Sequence, residues 1–135
     1  MTTKGQFTGM RGVYLVAAEL SKLGFIASPT SRSAIGADIL VTDKECKNTY
    51  SVQVKTNAIT FNFWLLNKDS KNLKSSTLIY VFVNLRDKKN LMEFFIVPSC
   101  VVSEKMYIEK NGKNTWYSFS YDDAKEYENN WEIFK

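Results

Sequence analysis

The stretch that decides the fold is Tyr-Ser-Val-Gln-Val-Lys-Thr-Asn, residues 50–57. Apolar and polar side chains alternate along it, which is typical of a half-buried β-strand. Ser51, Gln53 and Lys55 therefore share the polar face of the strand. That face either meets bulk solvent or lines a site, and the residues around the strand decide between the two.

The segment before this strand predicts its hairpin partner. Residues 37–43 form a second alternating run, and the connection at residues 44–48 is polar, so an antiparallel hairpin is the simplest interpretation. If the turn is symmetric, Asp38 lies opposite Gln53, and residues opposite each other share a face. Asp38, Gln53 and Lys55 would then lie side by side, a grouping that a slip of one residue would break.

The remaining pattern predicts one mixed α/β domain over residues 1–135. Helical periodicity runs from Gly5 to Gly24, and the apolar run at residues 76–85 predicts a strand buried on both faces. The other expected elements are strands at 24–30, 91–98 and 115–121, a helix at 99–112 with Ser99 as its N-cap, and a C-terminal helix at 121–134.

The composition excludes several kinds of chemistry. The 135 residues include no histidine, so a Ser-His-Asp triad, a Cys-His dyad and a histidine-ligated zinc site are all ruled out. Acid–base or metal chemistry must use carboxylates, lysine, tyrosine or water. The net charge of +4 is compatible with a polyanionic partner, although many domains carry such a charge for solubility alone.

The chain contains no membrane-length apolar run, and its first residues lack the apolar core of a secretory signal. These features predict a cytoplasmic protein without a membrane segment.

A further carboxylate, Glu19, lies at the edge of the apolar stripe of the first helix. A helical Glu, an Asp that begins a strand within Gly-Ala-Asp-Ile-Leu, and Gln-Val-Lys at residues 53–55 together resemble the motif of the PD-(D/E)XK nuclease superfamily. The resemblance covers Glu19 to Lys55, about the first half of the chain. It implies a restriction endonuclease-like fold with an αβββαβ core, in which helices flank a mixed central sheet.

The same resemblance implies a function and a set of ligands. It suggests an endonuclease that hydrolyses DNA phosphodiester bonds with Mg²⁺ or Mn²⁺. Asp38 would be the central metal ligand, with the Gln53 amide oxygen, the Val54 carbonyl and Glu19 beside it. Lys55 would orient the nucleophile or stabilise charge on the phosphate.

Gln53 stands where the superfamily usually has Glu or Asp. The alternative is therefore a catalytically inactive module of the same fold that binds nucleic acid or a partner protein. Singly, Asp38 is explained by a turn, Lys55 by an exposed strand and Glu19 by a helix surface. The small chain suggests a homodimer or a subunit of a larger complex.

Four residues are candidate contacts for nucleic acid. Ser31 and Arg32 belong to a polar loop that leads to Asp38, and Lys68 and Lys71 are one helical turn apart. A polar loop and a solvated lysine face explain these residues equally well.

Overall fold

The computed structural model describes residues 3–31, 36–59, 62–89 and 91–134, which form one mixed α/β domain. Its strands are β1 Ile26–Pro29, β2 Ile39–Thr42, β3 Thr49–Asn57, β4 Phe63–Leu66, β5 Leu78–Asn84, β6 Glu93–Pro98, β7 Tyr107–Asn111 and β8 Asn114–Ser120. Its α-helices are α1 Lys4–Lys22, α2 Ser99–Lys105 and α3 Tyr121–Ala124. Short 3₁₀ turns lie at Lys68–Lys71, Lys125–Tyr127 and Trp131–Phe134.

The central sheet has five strands in the order β1-β2-β3-β5-β6. Strands β3 and β5 are parallel, and the other neighbours are antiparallel. The crossover between β3 and β5, residues 58–77, contains β4 and the 3₁₀ turn Lys68–Lys71 where the αβββαβ core has its second helix. Strand β5 is buried along its whole length, as its continuous apolar run predicts.

Helix α1 packs on one face of this sheet. Thr3 and Gln6 form a capping box at its start, and Gly24, with φ of 92°, follows its last turn. Val16 and Leu20 of its apolar stripe are fully buried with the side chains of β2, β3 and β5. The close approach of helix and sheet requires Gly12, since a Cβ atom there would lie 1.8 Å from Oγ1 of Thr56.

The opposite face of the central sheet is covered by α2 and a second sheet, with strand order β4-β8-β7. Trp64 on β4 packs against Phe82 of β5, and its Nε1 donates a hydrogen bond to the Val83 carbonyl oxygen at 3.0 Å. Nδ2 of Asn57 donates to the Phe63 carbonyl oxygen at 2.9 Å, which ties the end of β3 to the start of β4. Strand β3 therefore lies between two hydrophobic layers.

Two of the expected helices differ from the structure. The helix predicted to run to Gly112 ends at Lys105, and the rest pairs with β8 as a hairpin in which Gly112 has a φ of 65°. Ser99 is not its N-cap; its Oγ donates to the Ser75 carbonyl oxygen at 2.8 Å. The predicted C-terminal helix is reduced to α3 and 3₁₀ turns, with Asn129 at a φ of 55° between them.

Over the described ranges, no helix combines the length and the apolar character needed to cross a lipid bilayer.

Candidate active site at the β2–β3 hairpin

The register of the β2–β3 hairpin is the one that the alternating pattern predicts. Ile39 pairs with Val52 and Leu40 with Ser51. Asp38, directly before β2, therefore lies beside the middle of β3. The register holds because both strands bury alternate apolar side chains, and a slip of one residue would expose them.

Asp38 is held by hydrogen bonds on both sides. Its backbone N–H donates to the Val52 carbonyl oxygen at 2.8 Å, and its own carbonyl oxygen accepts from the Thr30 N–H at 2.9 Å. Oδ2 of its carboxylate accepts from the Val54 N–H at 2.8 Å. The side chain thus extends the ladder before the first residue of β2, which fixes the carboxylate against the backbone of β3.

Gln53 and Lys55 lie on the face of β3 that α1 does not cover. In the register of β3 with β5, Gln53 neighbours Tyr80 and Lys55 neighbours Phe82, and both aromatic side chains belong to the hydrophobic layer under α2 and the second sheet. Both side chains are only partly buried, whereas Val54 between them is buried under α1. The polar face of β3 therefore lies inside the molecule, at the edge of a core.

Lys55 is placed in a partly desolvated position close to Asp38. Burial lowers the pKa of its ammonium group below the ordinary value of 10.5, and the charge of Asp38 opposes part of that shift. A lysine with this surrounding gives up its proton more readily than a solvated one, and it can also hold a positive charge where a phosphate would lie.

A cavity of about 440 Å³ opens beside Asp38. Its walls come from the first half of α1, the end of β1 and the hairpin; they are Gln6, Gly9, Met10, Val13, Tyr14, Pro29, Thr30, Ser31, Asp38 and Val54. Sequence reasoning missed Gln6, whose only signal was its place near the start of the helix. Ser31, predicted to contact nucleic acid, is in this wall.

Glu19 does not line the cavity, and neither do Gln53 and Lys55. It lies six residues beyond Val13 on α1, so it is about 9 Å farther along the helix axis and turned by about 120°. The helix also covers the face of the sheet that carries Val54, opposite to the face of Gln53 and Lys55. The hairpin register and the interaction of charges therefore place Asp38 near Gln53 and Lys55, whereas the role of Glu19 stays a prediction from the resemblance.

The other predicted nucleic-acid contacts are Arg32, Lys68 and Lys71. Arg32 falls outside the described residues. Lys68 and Lys71 lie on the 3₁₀ turn of the crossover, where Nζ of Lys71 donates to the Ser103 carbonyl oxygen at 2.8 Å.

The possible metal ligands at the hairpin include one carboxylate, that of Asp38. Within the described part of the chain, no three side chains drawn from His, Cys, Asp and Glu come close enough to hold a metal ion together. What remains at the hairpin is the Asp38 carboxylate, the Gln53 amide oxygen and the Val54 carbonyl, which points to the same side of β3 as its N–H. Three oxygen donors fit a hard ion such as Mg²⁺, which keeps several waters in its shell.

Comparison with solved structures identifies the fold, whereas the sequence matches no family model and no curated protein. One similar structure is Hjc, a Holliday junction resolvase from Archaeoglobus fulgidus, with a TM-score of 0.56 and 13% identity over 87% of this chain and 88% of that chain. Another is the bacterial homing endonuclease I-Ssp6803I, with a TM-score of 0.60 and 13% identity over 98% of this chain and 91% of that chain.

At this identity the likeness establishes the fold alone. The chain has the mixed α/β fold of these nucleases, and the predicted fold class is confirmed. Neither structure tests the roles of individual side chains.

Proposed function

We propose that this protein is a divalent-metal-dependent endonuclease of the PD-(D/E)XK type that hydrolyses phosphodiester bonds in DNA. The observation that carries the proposal is the placement of Asp38. Its carboxylate is bound to the Val54 N–H at 2.8 Å, and its charge acts on the partly buried ammonium group of Lys55. The nuclease fold of the chain supports the same conclusion.

The proposed roles follow from the chemistry of each group. Asp38, Gln53 and the Val54 carbonyl would hold Mg²⁺ or Mn²⁺. A bound ion of this kind offsets negative charge on the phosphate and lowers the pKa of water, which is the chemistry that phosphodiester hydrolysis needs. Lys55 would accept a proton from the attacking water or stabilise the charge that develops on the phosphate oxygens. Glu19 is left out of this set because it lies on α1, which covers the face of the sheet opposite to that of Gln53 and Lys55.

The test is cleavage of plasmid and of short DNA duplexes with Mg²⁺ or Mn²⁺. Asp38→Asn is the most informative variant, since asparagine keeps an oxygen for the Val54 N–H and removes only the charge. We expect it to lose cleavage by about 10³-fold. Asp122→Asn is the matched control, because Asp122 is an exposed carboxylate on α3 that pairs with Lys125. Equal cleavage by Asp38→Asn and the wild type would refute the proposal.

The single carboxylate at the site favours one alternative: an inactive module of the same fold that binds nucleic acid or a partner protein, either as a homodimer or as a subunit of a larger complex. Isothermal titration with Mn²⁺ separates the two. Metal binding that disappears in Asp38→Asn supports the enzyme, and the absence of binding together with the absence of cleavage supports the module.

A further inference from the structure

A second cavity lies between the 3₁₀ turn Lys68–Lys71 and the β7–β8 hairpin. Its volume is about 400 Å³, and its wall includes Lys68, Lys71, Lys110, Asp69, Thr115 and Tyr117. We call this cavity the lysine groove. Because it joins the crossover to a hairpin more than thirty residues later in the chain, no local sequence pattern indicated it.

The charge of the lysine groove is positive. Its described wall includes three lysines and one acidic residue, Asp69. Lys68 and Lys110 are exposed, while Nζ of Lys71 is fixed by its hydrogen bond to the Ser103 carbonyl oxygen. Among the wall residues, Thr115 and Tyr117 add hydroxyl groups that can donate to an anion.

The opposite face of the same hairpin shows that this charge is local. That face belongs to another cavity, whose wall includes Phe63, Leu65, Tyr107 and Trp116, and Glu109 is the one charged residue among its described lining residues. On the hairpin, Lys110 thus lies on the side that faces Lys68 and Lys71 of the crossover.

The lysine groove lies on the same side of the central sheet as Gln53 and Lys55. Ser70, within the 3₁₀ turn, is buried and lies close to the Tyr80 hydroxyl, and Tyr80 is the neighbour of Gln53 in the sheet. With strands about 4.8 Å apart and a tyrosine side chain between, the turn is roughly 10 Å from Gln53. That distance is on the order of three base-pair steps of about 3.4 Å.

We propose that the lysine groove binds the sugar–phosphate backbone of DNA on one side of the bond to be cut. Lys68 and Lys110 contact phosphates from opposite walls, and the hydroxyl groups of Thr115 and Tyr117 donate hydrogen bonds to phosphate oxygens. This proposal rests on the proposed function, and it adds Lys110 and the β7–β8 hairpin to the DNA-binding surface.

The test measures how the affinity for a DNA duplex depends on salt, by fluorescence anisotropy in EDTA so that no cleavage occurs. The variants are Lys68→Gln, Lys110→Gln and the double variant. Lys71 is left intact because its hydrogen bond holds the turn to α2. The logarithm of the affinity falls linearly with the logarithm of the salt concentration, and each exposed lysine that neutralises one phosphate makes this decrease steeper by about 0.9. We therefore expect the magnitude of this negative slope to be smaller by about 0.9 in each single variant and by about twice that in the double variant.

Lys113→Gln is the matched control, since Lys113 is an exposed residue in the turn of the same hairpin and does not line the groove. It should bind as the wild type does. Slopes that are the same for the wild type, the control and the double variant would overturn the proposal, as would a wild type that does not bind DNA.

This outcome is separable from that of the nuclease proposal. If cleavage depends on Asp38 but the slope of the double variant is unchanged, the proposed nuclease activity stands and the proposal for the lysine groove is refuted. If the double variant has a less steep slope but the wild type does not cut DNA, the lysine groove binds DNA and the proposed nuclease activity is refuted.

Discussion

The two faces of β3 meet different surroundings. The face toward α1 carries Val52 and Val54, both buried in the hydrophobic layer between α1 and the central sheet. The other face carries Gln53 and Lys55, which are only partly buried although Tyr80 and Phe82 beside them are fully buried. One strand thus serves packing on one side and holds polar groups at the edge of a core on the other.

This difference indicates what each face is for. A partly buried ammonium group is costly to desolvate, and an apolar side chain of similar length would pack at the same position without that cost. Groups kept at such a cost with a lowered pKa are concentrated at functional sites. The α1 side of β3 should therefore respond to mutation through stability, and the Lys55 side through activity.

The largest effect is expected for Lys55→Met. Removing the ammonium group should lower DNA cleavage by about 10³-fold, or about 4 kcal/mol in activation free energy, without lowering the free energy of unfolding. Cleavage rates and urea denaturation measure the two quantities, with the exposed Lys47→Met as the control. A variant that loses stability but keeps its activity would reverse the assignment of the two faces.

The α1 side can be tested with two glycines of the same helix. Gly12→Ala places a methyl group where it would meet Thr56 at 1.8 Å, and we expect this overpacking to destabilise the fold by about 2 kcal/mol. At Gly9, the added carbon of Gly9→Ala would meet no described atom within 4 Å beyond its chain neighbours and the backbone of α1, so the higher helix propensity of alanine should stabilise the fold by about 0.5–1 kcal/mol. Urea midpoints of the pair measure this, and equal values would mean that α1 does not depend on its close approach to β3.

Gln53→Glu tests whether the polar face of β3 holds a metal ion. A second carboxylate beside Asp38 should bind Mn²⁺ about tenfold more tightly, or about 1.4 kcal/mol, because ligand charge raises the affinity for a divalent ion. Titration calorimetry measures the change, and Asn114→Asp, an exposed position at the start of β8, serves as the control. If the affinity is unaltered, the Gln53 side chain does not reach the ion.

The smallest effect is a pH dependence of stability. Because burial lowers the pKa of Lys55 in the folded protein, unfolding takes up a proton at pH values between that lowered pKa and about 10.5. The free energy of unfolding of the wild type should therefore rise with pH in this alkaline window relative to that of Lys55→Met. Denaturation of both proteins at several pH values gives the difference, in which the other titrating groups cancel. A difference that falls with rising pH would contradict a lowered pKa.

The hairpin could be predicted from sequence because its information is local. Alternation in β2 and β3 fixes both the strand type and the register, and with them the position of Asp38 beside Gln53. The continuous apolar run of β5 identified a strand buried on both faces for the same reason.

The parts that were missed depend on contacts between distant segments. Residues 107–111 follow α2 without a break in the sequence pattern, but pairing with β8 makes them a strand. The bridge between Glu128 and Phe95 of β6 likewise interrupts the expected C-terminal helix. The position of α1 over the sheet decides that Gln6, not Glu19, reaches the cavity. The periodicity of the helix does not predict where the helix axis crosses the sheet.

The long crossover between β3 and β5 has a consequence for how the protein folds during synthesis. The hairpin of β2 and β3 joins nearby residues and can form as soon as it leaves the ribosome. The β5-facing edge of β3 then stays unpaired until residues 58–77 and all of β5 have been made. During that interval the nascent chain presents an open strand edge to other chains, so co-translational aggregation should start at β3.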